Sequence, residues 1–312
     1  MHGQMSSLRC GFRLARWIDL LLSASSEIRI YIGTIALVVL LTGGVAVNTR
    51  AVPVSQPHAA VRDVPAFPGP KTDYHGYDRY DFEVDGCKAI VVTPKEPAKG
   101  RPWIWRAEFF DHRPELDLAL LAKGFHLVFI DVGNTFGAPS AMKHWDVYYA
   151  ELTHKYGLSR RPVLEGLSRG GLYIYNWAAA NPKRVSVLIG DNPVLDFKSW
   201  PGGKGKGPGS PDDWKKLINY YGFHSEAEAL AYTHNPVDNL APIAKAHVPV
   251  IHCAADADEV VPYEENTVVL KERYEKLGGH IEVIVKHGFK HHPHGLDDPT
   301  PLVEFIQKYG RL

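Results

Sequence analysis

Gly166-Leu167-Ser168-Arg169-Gly170-Gly171 carries the spacing G-x-S-x-G. A serine hydroxyl is a weak nucleophile until it is held free of the backbone and set beside a base. Glycines two positions before and after Ser168 permit a turn sharp enough to do this, because side chains there would collide. The stretch before it, RPVLEGL (161–167), suits a short buried strand, and LYIYNWAAANP (172–182) reads as a helix stopped by Pro182. That helix start adds a partial positive field where an oxyanion would form. The plainer reading of Ser168 is a helix cap.

A nucleophilic serine needs a base, and the base needs a group that fixes its tautomer. After the apolar run PVIHCAA (249–255) comes Asp256-Ala257-Asp258-Glu259-Val260-Val261-Pro262. Asp258 fits D-x-x-V-P, with Pro262 expected to open the next helix. Asp256 is the rival acid, or a turn residue. After the last apolar run stands Lys286-His287-Gly288-Phe289-Lys290-His291-His292-Pro293-His294. His291 is the first choice of base, His292 the second and His294 the third. A metal cluster of His291, His292 and His294 is the competing reading. No acidic or Cys ligand adjoins them, and the chain has no H-E-x-x-H helix.

These residues need a scaffold, and the sequence supplies one. DFEVDG and CKAIVVTP predict a hairpin turning at Asp85-Gly86. WIWRAEFF (103–110), HLVFIDVG (126–133), RPVLEGL, VSVLIGD (185–191), PVIHCAA and IEVIVKH (281–287) are further strands. Helices are expected over 114–124, 140–156, 170–181, 264–277 and 300–309. Short apolar runs alternating with helices predict α/β: a mostly parallel sheet covered on both faces. Residues 191–246, containing SWPGGKGKGPGSPDDW, break the rhythm and predict a small irregular cap over one end of the sheet.

The 312 residues balance 35 Lys+Arg against 35 Asp+Glu, so no basic excess favours nucleic acid or an anionic membrane. A composition 45% hydrophobic and 22% charged excludes disorder, and three Cys exclude a disulfide-built scaffold. Residues 30–47, IYIGTIALVVLLTGGVAV, are uncharged and follow Arg9, Arg13, Arg16 and Arg29. This reads as a cytoplasmic basic region (1–29) and then a transmembrane anchor or signal-peptide core (30–47). The rest of the chain is then exported, periplasmic or extracellular, and meets a membrane only through this segment. Residues 48–75, with Pro53, Pro57, Pro65, Pro68 and Pro70, predict a linker before a catalytic domain at 76–312.

The order Ser168, Asp258, His291 and the strand–turn–helix around Ser168 resemble the α/β-hydrolase superfamily over about residues 80–312. WIWRAEFF, GLSRGGLYIYNWAAANP and HHPHGL are similar to segments of exported bacterial hydrolases found beside carbohydrate-degrading enzymes. The resemblance implies an eight-stranded sheet, a hydrolase or acyl-transfer activity, and no metal or organic cofactor. It also implies an oxyanion hole. The donors expected are the backbone N–H of Arg169 and that of Trp105 or Arg106, because Trp105-Arg106-Ala107-Glu108 stands where many members have a His-Gly turn. In that strand order Cys87 and Cys253 lie about five strands apart. At ~4.8 Å per strand this exceeds the ~7 Å reach of a disulfide, so both are expected free.

Glucuronoyl esterases also carry Arg directly after their serine, and G-L-S-R-G-G is similar to that stretch. Arg169, with Arg106, is therefore a candidate for binding an anionic substrate group or supporting the oxyanion. A salt bridge of Arg169 to Glu108 or Asp111 is the alternative. Trp200 and Trp145 are candidate sugar-stacking faces, or packing residues. The function expected is a serine hydrolase cleaving a carbohydrate-linked or small-molecule ester through an acyl-enzyme. A serine peptidase of the same fold and a binding module without catalysis are the alternatives.

Overall fold

The computed structural model describes residues 64–312. The anchor or signal segment at 30–47 lies outside them, as does most of the expected linker. Among the described residues no helix is long and apolar enough to cross a membrane.

Nine strands form one sheet: β1 (Lys71–Tyr74), β2 (Tyr77–Val84), β3 (Cys87–Thr93), β4 (Trp103–Ala107), β5 (His126–Asp131), β6 (Val163–Leu167), β7 (Val187–Asp191), β8 (Val250–Ala255) and β9 (Ile281–Lys286). Their spatial order is β1-β2-β3-β5-β4-β6-β7-β8-β9. The first three are antiparallel, and β5, β4, β6, β7, β8 and β9 run parallel. The β2–β3 hairpin closes at Asp85-Gly86 with φ of 51° and 76°, the left-handed pair a two-residue loop requires. Cys87 and Cys253, on β3 and β8, are free thiols five strands apart.

Eight strands were expected and nine are present. The extra one, β1, falls inside the stretch read as a linker. Proline density misled there, because a short edge strand tolerates prolines just before it. Phe67, also in that stretch, is buried against Tyr156, Tyr80 and Phe82, its ring 4.5 Å from that of Tyr156.

The helices are α1 (Glu115–Ala122), α2 (Pro139–His154), α3 (Gly170–Ala180), α4 (Pro211–Tyr221), α5 (Glu226–Leu230), α6 (Ala241–Lys245), α7 (Thr267–Lys276) and α8 (Thr300–Tyr309). Leu116, Leu120, Leu302 and Ile306 of α1 and α8 pack on one face of the sheet. Tyr148, Ile174, Ile243 and Leu270 of α2, α3, α6 and α7 pack on the other. The two-residue pleat of β4 divides its side chains accordingly: Trp103, Trp105 and Ala107 go to the second core and Ile104 to the first. Pro262 does not open α7, which begins at Thr267. The Asn266 side chain instead accepts from the Leu195 N–H (2.8 Å) and donates to the Pro262 carbonyl (3.0 Å), holding 262–266 as a turn. The expected cap carries α4 and α5. It packs on α2 and α3, and its Gly-rich part lies against the loop after β8, where a Cβ on Gly207 would stand 3.1 Å from the Val260 carbonyl.

Phe67→Ala is expected to lower the unfolding free energy by about 3 kcal/mol, the usual cost of emptying an aromatic site. Chemical denaturation checks this. A change under about 0.5 kcal/mol would return the segment to linker status.

Candidate active site

Ser168 follows β6 with φ of +47°, in the left-handed region that costs a non-glycine residue about 1–2 kcal/mol. The surrounding chain over-determines this turn. A Cβ on Gly166 would lie 2.6 Å from the Gly170 backbone, and one on Gly170 would lie 2.6 Å from the Ala107 carbonyl. The Ser168 N–H donates to the Asp191 carbonyl (2.9 Å), and the Val194 N–H donates to the Ser168 carbonyl (2.8 Å). The end of β7 thus grips the turn on both sides.

Three of the sequence candidates meet at this point. Ser168 Oγ lies 3.0 Å from His291 Nε2. His291 Nδ1 lies 2.7 Å from Asp258 Oδ2. Asp258 Oδ1 accepts from the N–H groups of Val260 (2.9 Å) and Val261 (2.8 Å), so the carboxylate is aimed before it meets the imidazole. All three side chains are buried. The chain can therefore pass a proton from the hydroxyl to Nε2 while Asp258 holds the Nδ1–H tautomer.

The rivals have other partners. Asp256 accepts from the Gly288 N–H (2.7 Å) and bonds His287 Nδ1 (2.8 Å), tying the loop after β9 to the loop after β8. His294 Nδ1 bonds Asp191 Oδ1 at 3.1 Å. Burial works against a charge on Asp191, but His294, the nearby Lys286 and the Gly295 N–H outweigh it and hold the carboxyl below its usual range. His292 is exposed, and burial of part of its ring together with His294, His291 and His112 lowers its pKa.

Trp105 and Arg106 do not supply the second oxyanion donor. Both lie inside β4, in register with Leu164 and Glu165 of β6. The turn instead abuts the end of β4, where Glu108 and Phe109 follow with φ of 63° and 47°. Among the described residues their N–H groups and that of Arg169 donate to no acceptor. These N–H groups are uncommitted, one in the Ser168 turn and two just past the end of β4 that it abuts.

Nor does the Arg106 side chain reach substrate. It is fully buried on the α1 face, where Nη1 donates to Asp117 (2.5 Å) and Glu165 (3.3 Å). Its Nε donates to the Phe109 carbonyl (3.2 Å) and its Nη2 to the His112 carbonyl. Arg106 thus clamps the loop 108–113, in which Glu108, Phe109, Asp111 and Arg113 are all left-handed. Arg169 Nε donates to Glu108 (2.8 Å), and its guanidinium lies 4.6 Å from the centre of the Phe109 ring. The predicted alternative of a salt bridge to Glu108 is present, while its two Nη groups make no hydrogen bond among the described residues. Trp145 is buried in a stack on Trp105, and Trp200 is buried beside Phe136, so neither offers an open face to a sugar.

Sequence reading missed Asn192, at φ +41° just past β7. It donates from Nδ2 to the His291 carbonyl (3.0 Å) and accepts at Oδ1 from the Ala255 N–H (2.7 Å). It fixes the base loop against the β8 end. An Asp-Asn pair closing a buried strand was the signal available.

No family model and no curated sequence matches the chain. Solved structures match its fold. The acylaminoacyl peptidase of Pyrococcus horikoshii aligns with a TM-score of 0.58 at 13% identity, over 77% of this chain and 44% of that one. The dipeptidyl peptidase 4 of Porphyromonas gingivalis gives 0.56 at 12%, over 76% and 35%. A cold-adapted esterase from an Arctic intertidal metagenomic library gives 0.51 at 14%, over 79% of this chain and 100% of the esterase. The chain has the α/β-hydrolase fold. It spans less than half the length of these peptidases.

Burial, opposed by Arg106 and reinforced by Asp117, pushes the Glu165 carboxyl up to about 8. The folded chain then keeps this proton while the unfolded chain, at about 4.3, has lost it. Stability falls as pH rises between those values. Glu165→Gln, which cannot ionise, is expected to melt above the wild type by a margin that grows from about pH 5 to about pH 8. Thermal melts across that range check it, and a margin independent of pH would refute it.

Proposed function

We propose that the chain is a serine hydrolase that cleaves a carboxylic ester through an acyl-enzyme. The relay from Ser168 Oγ through His291 to Asp258 carries this reading. Ser168 attacks the carbonyl as His291 takes its proton. The oxyanion is met by the N–H of Arg169 and those at Glu108 and Phe109. His291 then protonates the leaving alcohol, and water releases the acyl group by the same steps in reverse. Export of this domain, inferred from residues 30–47, would place the reaction outside the cytoplasm.

An ester is favoured because an α/β-hydrolase esterase is matched along its whole length, whereas the peptidases are matched over less than half of theirs. A small-molecule or carbohydrate-linked ester with an anionic group suits Arg169, whose Nη edge faces no protein partner among the described residues. Peptide-bond cleavage by the same relay is the second reading, favoured by the peptidase likeness.

Ser168→Ala is expected to lower ester turnover by about 10³-fold or more and to abolish fluorophosphonate labelling. A panel of p-nitrophenyl esters and peptide p-nitroanilides separates the two readings. Turnover confined to the anilides would replace the ester reading, and undiminished turnover by Ser168→Ala would end both. Arg169→Ala is expected to cut kcat/KM about 10–100-fold on esters with a carboxylate near the acyl carbon and to spare neutral ones. Equal losses on the two classes would assign Arg169 to the oxyanion side instead.

A further inference from the structure

Three imidazoles crowd the edge of the site. The rings of His291, His292 and His294 have centres 5.0, 4.8 and 4.8 Å apart and planes at 76°, 80° and 90° to one another. One ligand nitrogen from each lies within 4.8 Å of the others. Three imidazoles bound tetrahedrally to one Zn²⁺, at about 2.0–2.1 Å per bond, would have ring centres about 5 Å apart. The ring centres therefore have nearly the spacing of a His₃ zinc site, and the nitrogens must close from within 4.8 Å to about 3.4 Å to share one ion.

A second observation is the partnering of the far nitrogens. His291 Nδ1 bonds Asp258 and His294 Nδ1 bonds Asp191. A carboxylate on Nδ1 puts the proton there and leaves the Nε2 lone pair outward, which is the usual outer partner of a zinc-bound histidine. His292 is exposed and makes no hydrogen bond among the described residues, so it is free to turn toward an ion. His112 stands farther off, its ring centre 5.9 Å from that of His294 and 6.4 Å from that of His292.

We propose that His291, His292 and His294 form a binding site for Zn²⁺ or a similar borderline divalent cation, and that the bound ion switches the hydrolase off. The ion takes the Nε2 lone pair that otherwise accepts the Ser168 hydroxyl proton. Three imidazoles replace three of its waters, and no proton need be released from neutral rings. Metal and substrate activation are then mutually exclusive. The ion is an inhibitor here and has no part in the reaction. The inhibitory half rests on the serine-hydrolase reading, and the binding half does not.

The test uses the purified full chain and zinc chloride in a buffer that does not chelate. Calorimetry on wild type, Ser168→Ala and His292→Ala reads binding without any need for activity. One ion per chain is expected, weakened about tenfold or more in His292→Ala and undiminished in Ser168→Ala. Hydrolysis of p-nitrophenyl acetate and fluorophosphonate labelling of wild type are expected to fall with the same midpoint and to return with EDTA. His292→Ala should keep its metal-free turnover and need about tenfold more zinc. No binding, or equal binding by wild type and His292→Ala, overturns the site. Tight binding with turnover unaffected overturns the switch. Binding without turnover on any ester or amide leaves the site standing and refutes the hydrolase reading instead.

Discussion

The arrangement depends on what stands at the end of β7. His291 belongs to the loop after β9, yet it must reach Ser168 after β6, three strands away, or about 14 Å at ordinary strand spacing. A loop left to itself would spread into solvent. Asp191 and Asn192 stop it. Asp191 takes His294 and the Gly295 N–H, and Asn192 takes the His291 carbonyl. The same two residues accept at their carbonyl and donate at their N–H to the Ser168 turn and β8, through Ser168 N–H to Asp191 O and Asn192 N–H to Cys253 O. Nucleophile and base are thus referred to one short piece of backbone, so their 3.0 Å separation does not depend on two independently floating loops.

Strain is stored on the other side of Ser168. The loop 108–113 holds four non-glycine residues in left-handed backbone, each costing about 1–2 kcal/mol. Arg106 offsets that cost from beneath, through its bonds to the Phe109 and His112 carbonyls. Arg106 is held in turn by Asp117 and Glu165, and burial, reinforced by Asp117 and only partly opposed by Arg106, is why Glu165 keeps its proton. The N–H groups of Glu108 and Phe109 stay free of protein acceptors among the described residues, in a loop whose Phe109 and His112 carbonyls a buried cation holds. Its value lies in geometry fixed before substrate arrives.

Local patterns in the sequence were enough to read much of this. G-x-S-x-G between a short buried strand and a helix locates Ser168, because Gly166 answers to a collision with Gly170 inside the motif, although Gly170 itself answers to the distant Ala107 carbonyl. Asp258 and His291 follow from strand ends, since every parallel strand delivers its next loop to the same edge of the sheet. Arg106 was misread because strand parity decides its side: one residue of pleat separates one buried face of the sheet from the other, and both positions sit in an apolar run. Asn192 escaped notice because its partners, at 255 and 291, are distant in sequence. The 64–75 stretch escaped because prolines obscure an edge strand whose pairing with β2 only the sheet reveals.

The proton relay and the proposed metal site make the same demand of an imidazole. Each needs Nδ1 protonated on a carboxylate and Nε2 bearing an open lone pair. Asp258 meets that demand for His291 and Asp191 meets it for His294, although only His291 faces a hydroxyl. A fold that brings a second oriented imidazole within 5 Å of the first, with a third unattached ring beside it, supplies three of the ligands a borderline divalent cation takes. What decides between the two uses is occupancy of one lone pair. A hydroxyl proton engages it weakly and reversibly, whereas an ion gripped by three nitrogens would engage it more strongly, so availability of the ion would set how much of the hydroxyl is activated.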